Sequence, residues 1–211
     1  TDEQHLAFTQ ALGPLEDTAR NTLRRPEDLR LPQFFADVSN LNGQNKPFAR
    51  DDRKRLFAIG NRLWHSDSSF KAIPAKYSLL RAVAVPSKGG NTEFADMRAA
   101  WDALPDRMKA AASGRVAEHS LLYSRGLIGF EDFSPEERAR LPSSPQRLVR
   151  VHPGSGRKTL YLAAHAMRVH GMPVPEGRIL LKDLMVTEDE LRDFVYATLR
   201  RKSARDFETL S

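Results

Sequence analysis

The stretch Gly60-Asn61-Arg62-Leu63-Trp64-His65-Ser66-Asp67-Ser68-Ser69-Phe70 decides how this chain is read. Its centre is His65-x-Asp67. On an extended backbone, side chains two apart point to the same face, so an imidazole and a carboxylate would converge. One further imidazole would complete a 2-His-1-carboxylate set, which holds non-haem Fe(II) and leaves coordination positions open. The tripeptide alone is unspecific. A strand-end His and Asp bonded to neighbouring backbone would look the same.

Outward from that stretch, bulk properties narrow the field. The chain has 211 residues, which reads as one domain over 1–211 with enough length for a core. It has no cysteine, which excludes disulfides and thiolate metal sites and fits a reducing, cytoplasmic setting. No apolar run approaches the ~20 residues of a membrane span, so no membrane partner is expected. No signal peptide is seen; Thr1 leads straight into a helix start. Lys and Arg number 33 against 27 Asp and Glu. The excess is spread along the chain rather than gathered into a basic run, so no nucleic-acid partner is expected. A mild positive field suits an anionic small molecule equally well.

Local signals then divide the chain. Thr1-Asp2-Glu3-Gln4 is a capping box, and the helix it opens should stop at Gly13-Pro14. Residues 20–30 read as a charged surface loop. Residues 34–39, 77–85 and 92–95 read as strands. Residues 44–59 look polar and irregular. Asp96 should cap a helix with Met97, Ala100, Trp101 and Leu104 at helical spacing, and Trp101 reads as core. Pro105 should open another helix. Residues 116–123 read as a strand carrying His119. Ser134-Pro135-Glu136-Glu137 caps a short helix. Residues 147–152 and 159–163 read as a hairpin around Pro153-Gly154-Ser155-Gly156. Residues 174–185 read as a helix, and Thr187-x-x-Glu190 as the cap of a last one. The expected architecture is mainly β with flanking helices.

Several segments together resemble the taurine dioxygenase / 2,4-dichlorophenoxyacetate dioxygenase family of Fe(II)- and 2-oxoglutarate-dependent oxygenases. They are residues 1–16, Asp37-Val38-Ser39-Asn40, the Leu63–Phe70 stretch, Gly89-Gly90-Asn91-Thr92-Glu93-Phe94-Ala95-Asp96-Met97-Arg98-Ala99-Ala100, and His152-Pro153-Gly154-Ser155-Gly156-Arg157-Lys158. Residues 1–185 follow the family's order and spacing, with the phenoxyacetate-degrading branch the nearest, and 186–211 diverge as a helical tail. The resemblance implies a double-stranded β-helix (a cupin-like jelly roll), incomplete at both ends. It implies His65 and Asp67 as iron ligands, Thr92 as the hydroxyl bonding a carboxylate of 2-oxoglutarate, and Asn61 as a substrate-pocket residue. His165 is expected to line that pocket. Fe(II) would be the cofactor, with 2-oxoglutarate and O2 as co-substrates and a small organic acid as substrate. A phenoxyacetate would be hydroxylated and collapse to a phenol and glyoxylate, with release of succinate and CO2. A sulfonate is the alternative substrate, and a catalytically silent binding or homo-oligomerising module the alternative of another class. The resemblance also implies a distal His ligand and a 2-oxoglutarate-binding Arg in a late Trp-Asp-Asn segment. Residues 186–211 contain no His and no Trp.

Overall fold

The computed structural model describes residues 1–16, 30–32 and 34–185. The expected helical tail and its Thr187 cap, and most of the 20–30 loop, lie outside these residues. Helices are α1 Asp2–Gln10, α2 Arg53–Ile59, α3 Met97–Ala103, α4 Asp106–Ala112, α5 Leu121–Gly126, α6 Pro135–Arg140 and α7 Val174–Met185. Strands are β1 Val116–His119, β2 Ser144–Arg147, β3 Val149–Val151, β4 Lys158–Leu160 and β5 Ala166–Val169. They form one three-stranded sheet, ordered β2-β1-β5, and the two-stranded β3-β4. The architecture is thus small sheets with flanking helices. No helix among the described residues is long and apolar enough to cross a membrane.

The chain packs as two compact units. The first comprises Thr1–Arg81, His119–Ser144 and Ala163–His165. The second comprises Ala82–Glu118, Pro145–Leu162 and, among described residues, 166–185.

Where helix ends carry side-chain caps, the sequence pattern and the backbone agree. Thr1 accepts from Gln4 N, and the Gln4 side chain accepts from the Thr1 amino group, which completes the capping box. Asp96 accepts from the amides of Arg98 and Ala99. Ser134 and Glu137 form a second capping box, with Pro135 in the first turn. The hairpin also forms as expected. Val149 faces Leu160, Arg150 faces Thr159, and Val151 faces Lys158 in antiparallel register.

The second unit's core is apolar. Trp101 from α3, Leu148 before β3, Leu160 from β4, Val169 from β5 and Leu180, Leu181 and Leu184 from α7 pack in one cluster. The first unit has a smaller one: Leu121, Phe130, Phe133 and Leu141, flanked by Phe57 and Phe70.

Five expectations fail. Residues 34–39, 77–85 and 92–95 form no strand among the described residues. A strand needs a neighbour for its N–H and C=O groups, and apolar pattern alone does not supply one. Leu80, Val83, Val85 and Phe94 lie 65%, 81%, 78% and 88% exposed. The fourth concerns 116–123, where the strand ends at His119. The Ser120 hydroxyl accepts from Tyr123 N and caps α5 instead. The fifth is the polar 44–59 region, which hides α2, started by Asp52, whose carboxylate accepts from Lys54 N and Arg55 N.

Candidate metal and substrate site

The site grows from the end of α2. A 3-10 turn, Gly60–Arg62, follows that helix, and Leu63 leaves it in an extended conformation (ψ 145°). The chain then runs out through Trp64, His65 and Ser66 and turns at Asp67–Phe70, with Ser68 at φ 57°. This segment is tied to the start of α5 through residues 163–165. Ala164 N donates to Trp64 O at 2.8 Å, and Ser120 N donates to His165 O at 2.8 Å. Residues 163–165 therefore bridge the opening stretch and the start of α5.

His65 and Asp67 do converge. His65 Nδ1 lies 2.6 Å from Leu63 O. A carbonyl only accepts, so Nδ1 carries the proton and donates, and in the neutral ring the lone pair is on Nε2. Nε2 lies 3.3 Å from Asp67 Oδ1. Two donors at right angles on a metal, with bonds of about 2.1 Å, sit about 3.0 Å apart. The observed pair is close to that edge length, and the Leu63 carbonyl fixes the ring as outer-sphere partners of metal-bound histidines do. Both side chains are part-exposed, so the edge is open. Asp67, and then the Leu63 carbonyl, raise the His65 pKa against an opposing effect of burial. His65, helped by the Ser78 hydroxyl, holds Asp67 below the usual carboxylate range. Among the described residues no three His, Asp or Glu side chains gather as a metal cluster. The pair therefore fits two of the three protein positions in the expected set.

Behind this edge the same stretch turns inward. Ser69 is fully buried, and its hydroxyl lies 3.0 Å from Nδ1 of the fully buried His119. Phe70 packs edge-on to His165, centroids 5.0 Å apart, and His65 meets the same ring at 6.0 Å. His165 is buried, and its Nδ1 lies 2.8 Å from Ser124 Oγ. Burial, with the positive charge of Arg125 adding, pushes its pKa down to about 3. It is a neutral ring at physiological pH. Asn61 Oδ1 accepts from Arg125 Nη2 at 2.8 Å.

Asn61, His65, Asp67 and His165 thus belong to one compact unit. Thr92 belongs to the other, exposed on the coil after Gly89 and Gly90 (φ 75° and 74°). Ser124, Phe70 and Arg125 were not foreseen as site residues. For Arg125 the sequence holds only an indirect sign, which burial alone makes meaningful. The positions three and four residues away on either side are Leu121, Leu122, Ile128 and Gly129, so no carboxylate lies within helical reach of its charge.

A histidine of fixed tautomer and an ionised aspartate lie on one open edge, backed by a neutral buried imidazole, an arrangement with the donor types of two of the three positions in a 2-His-1-carboxylate set. The particular family follows from comparison with known proteins. A family model described as "Taurine catabolism dioxygenase TauD, TfdA family" matches residues 1–201, and the chain belongs to that family. It is 45% identical over 196 residues to the alpha-ketoglutarate-dependent 2,4-dichlorophenoxyacetate dioxygenase of Cupriavidus pinatubonensis, covering 93% of this chain and 68% of that one. It is 34% identical to the (S)-phenoxypropionate/alpha-ketoglutarate-dioxygenase of Sphingobium herbicidovorans, covering 88% and 62%. Among solved structures, AAD-2 in complex with Mn(II) and N-oxalylglycine superposes with a TM-score of 0.85 at 53% identity, covering 90% of this chain and 66% of that one. The chain spans about two thirds of the length of these relatives.

Proposed function

We propose that this chain forms the greater part of a single Fe(II)- and 2-oxoglutarate-dependent oxygenase domain built on a double-stranded β-helix. It hydroxylates a small organic acid of the aryloxyacetate type. The observation that carries the reading is the His65–Asp67 edge, with Nε2 and Oδ1 3.3 Å apart, in a chain 45% identical to a 2,4-dichlorophenoxyacetate dioxygenase. That such a chain has no cysteine suits work in a reducing cytoplasm.

Iron with 2-oxoglutarate supplies the oxidising power: the co-substrate goes to succinate and CO2, and one oxygen atom of O2 goes to the substrate. The residues of this chain prepare that chemistry. His65 presents Nε2 because Leu63 O holds the proton on Nδ1. Asp67 stays ionised because His65 and Ser78 favour its charged form. Thr92 offers a hydroxyl to a carboxylate of 2-oxoglutarate. His165, neutral and edge-on to Phe70, lines the substrate side with Asn61 and helps keep water from the oxidant. Hydroxylation of the carbon beside an aryl ether oxygen gives a hemiacetal. It collapses to a phenol and glyoxylate by cleavage of the carbon–oxygen bond, with proton transfer to the phenolic oxygen.

Anaerobic titration with Fe(II) and 2-oxoglutarate tests the reading. A weak visible charge-transfer band is expected, and oxygen with phenoxyacetate should yield succinate and phenol in equal amounts. No band and no succinate would refute it. Phenol formation with taurine left untouched separates the aryloxyacetate reading from the sulfonate one.

A further inference from the structure

Arg125 plays no part in the chemistry above, yet it is placed with care. It ends in the interior of the first unit, only 4% exposed. Nη2 donates to Asn61 Oδ1 at 2.8 Å, and the guanidinium lies over the Phe57 ring, 4.5 Å from its centroid. Nε and Nη1 have no hydrogen-bond partner among the described residues. Those two nitrogens carry three of the five N–H donors of the group. No carboxylate pairs with it there either; burial is the sole cause acting on its pKa, holding it down to about 10. The group is therefore a full positive charge at neutral pH.

A buried, unpaired ion costs several kcal/mol. Stacking on one aromatic face returns about 2 kcal/mol of that when desolvated. The backbone beside the group is nonetheless fitted closely to it. A Cβ on Gly60 would fall 2.5 Å from Arg125 Cζ and 2.6 Å from Cδ, so only glycine leaves room for the guanidinium at that turn. The charge also reaches the site. It lowers the proton affinity of both His65 and His165, and the neighbouring residue Ser124 is the one bonded to His165. The walls beside it are aromatic, since Phe57 meets Phe130 and Phe133 edge-on at 5.7 and 6.2 Å.

We propose that Arg125 is the binding residue for the carboxylate of an aromatic organic acid, which supplies the counter-charge that the protein withholds. Asn61 orients the guanidinium, and Gly60 makes space for it. Charge-assisted bonds from an arginine suit a carboxylate in a way that a neutral site cannot match. This proposal rests on the oxygenase reading for the identity of the acid, though not for the existence of the anion site.

The test is anaerobic calorimetry on the Fe(II)-loaded protein, with phenoxyacetate, its neutral amide and 2-oxoglutarate titrated separately. Arg125→Met should weaken phenoxyacetate binding by 10- to 100-fold, as expected for a lost charged hydrogen bond. The amide and 2-oxoglutarate should change less than about twofold on the same grounds. Asn61→Asp guards against a variant that fails to fold. It keeps the acceptor and places a carboxylate on the guanidinium, so it should raise Tm while displacing phenoxyacetate as fully as Arg125→Met. Unchanged phenoxyacetate affinity in either variant overturns the proposal. So does a loss that falls on 2-oxoglutarate instead, or a wild-type protein that binds the acid no better than its amide. Absence of succinate on adding oxygen refutes only the oxygenase reading; the binding comparisons still decide the role of Arg125.

Discussion

The two units of this chain are held together by different physics. The second has a cluster of twelve buried apolar residues on two small sheets and three helices. The first has four such residues. In their place it buries Ser69, His119, Ser124, Arg125 and His165, with Ser69 against His119 at 3.0 Å, Ser124 against His165 at 2.8 Å, and Arg125 bonded to Asn61 at 2.8 Å. Hydrophobic burial is non-directional and stabilises whatever shape fills space. Buried polar groups are costly unless each finds its partner, and so they fix position at the expense of stability. The contrast teaches that polar burial is concentrated in the unit that carries His65 and Asp67, and apolar burial in the other.

The comparison breaks most sharply at its chemical edge. His65→Ala or Asp67→Ala removes one of two donors. Fe(II) affinity should fall by more than about 100-fold, beyond what loss of an outer-sphere partner costs, and succinate formation should vanish. The thermal midpoint should move little, because both side chains are part-exposed. Binding by equilibrium dialysis and melting by calorimetry read the two halves. Full activity in either variant would end the metal assignment.

Leu148→Ala should do the reverse. Leu148 is completely buried in the second unit's cluster. Truncation of such a residue costs about 2–5 kcal/mol. The loss should appear as a lowered urea midpoint, with Fe(II) affinity of the folded protein unchanged. A metal defect as large as that of His65→Ala would mean that the two units do not divide these tasks.

How much of this was legible follows from the same division. The helix caps at Thr1, Asp96 and Ser134 were readable because a cap is local: a side chain three residues from the amide it bonds. The β3-β4 hairpin was readable because turn residues fix its register. Trp101 as core followed from helical spacing. The strand expectations at 77–85 and 92–95 failed because pairing depends on a distant neighbour that local pattern does not show. In the candidate site, the convergence of His65 and Asp67 was legible as two residues on one extended chain, while the roles given to Asn61, Thr92 and His165 rest on resemblance. Arg125 was not, because its meaning depends on what is missing around it. A cation between leucines and glycines reads as an ordinary surface residue until its burial is known.

pH probes the first unit more gently. His165 has its pKa pushed down to about 3, against about 6.5 in an unfolded chain. Between those values the unfolded state binds a proton that the folded state refuses, so stability falls as pH falls, by up to about 1.4 kcal/mol per pH unit. His65 acts in the opposite sense. Its pKa is raised, so its contribution is full below the unfolded value and is lost as pH rises through the folded one. Urea unfolding of the metal-free protein between pH 7 and pH 5 should therefore show a steeper acid loss for wild type than for His165→Gln. Equal slopes would mean that His165 is not held neutral in the interior.

The smallest effect lies on the surface of the second unit. Arg157, in the hairpin turn, forms an ion pair with Asp102 of α3 while the two side chains remain 44% and 55% exposed. Water screens such a pair, and ordering two long side chains offsets much of the attraction. Arg157→Ala should change unfolding free energy by less than about 0.5 kcal/mol, and less again in 1 M salt. The neighbouring Lys158 gives the useful contrast. Its ammonium lies 5.4 Å from the centroid of the buried Trp101 ring, a contact that salt weakens less because one partner belongs to the core. Lys158→Ala should therefore keep more of its cost at high salt than Arg157→Ala. If the two variants lose their effects together, the turn is held by surface charge alone and the α3-facing side of the hairpin is not part of the apolar framework.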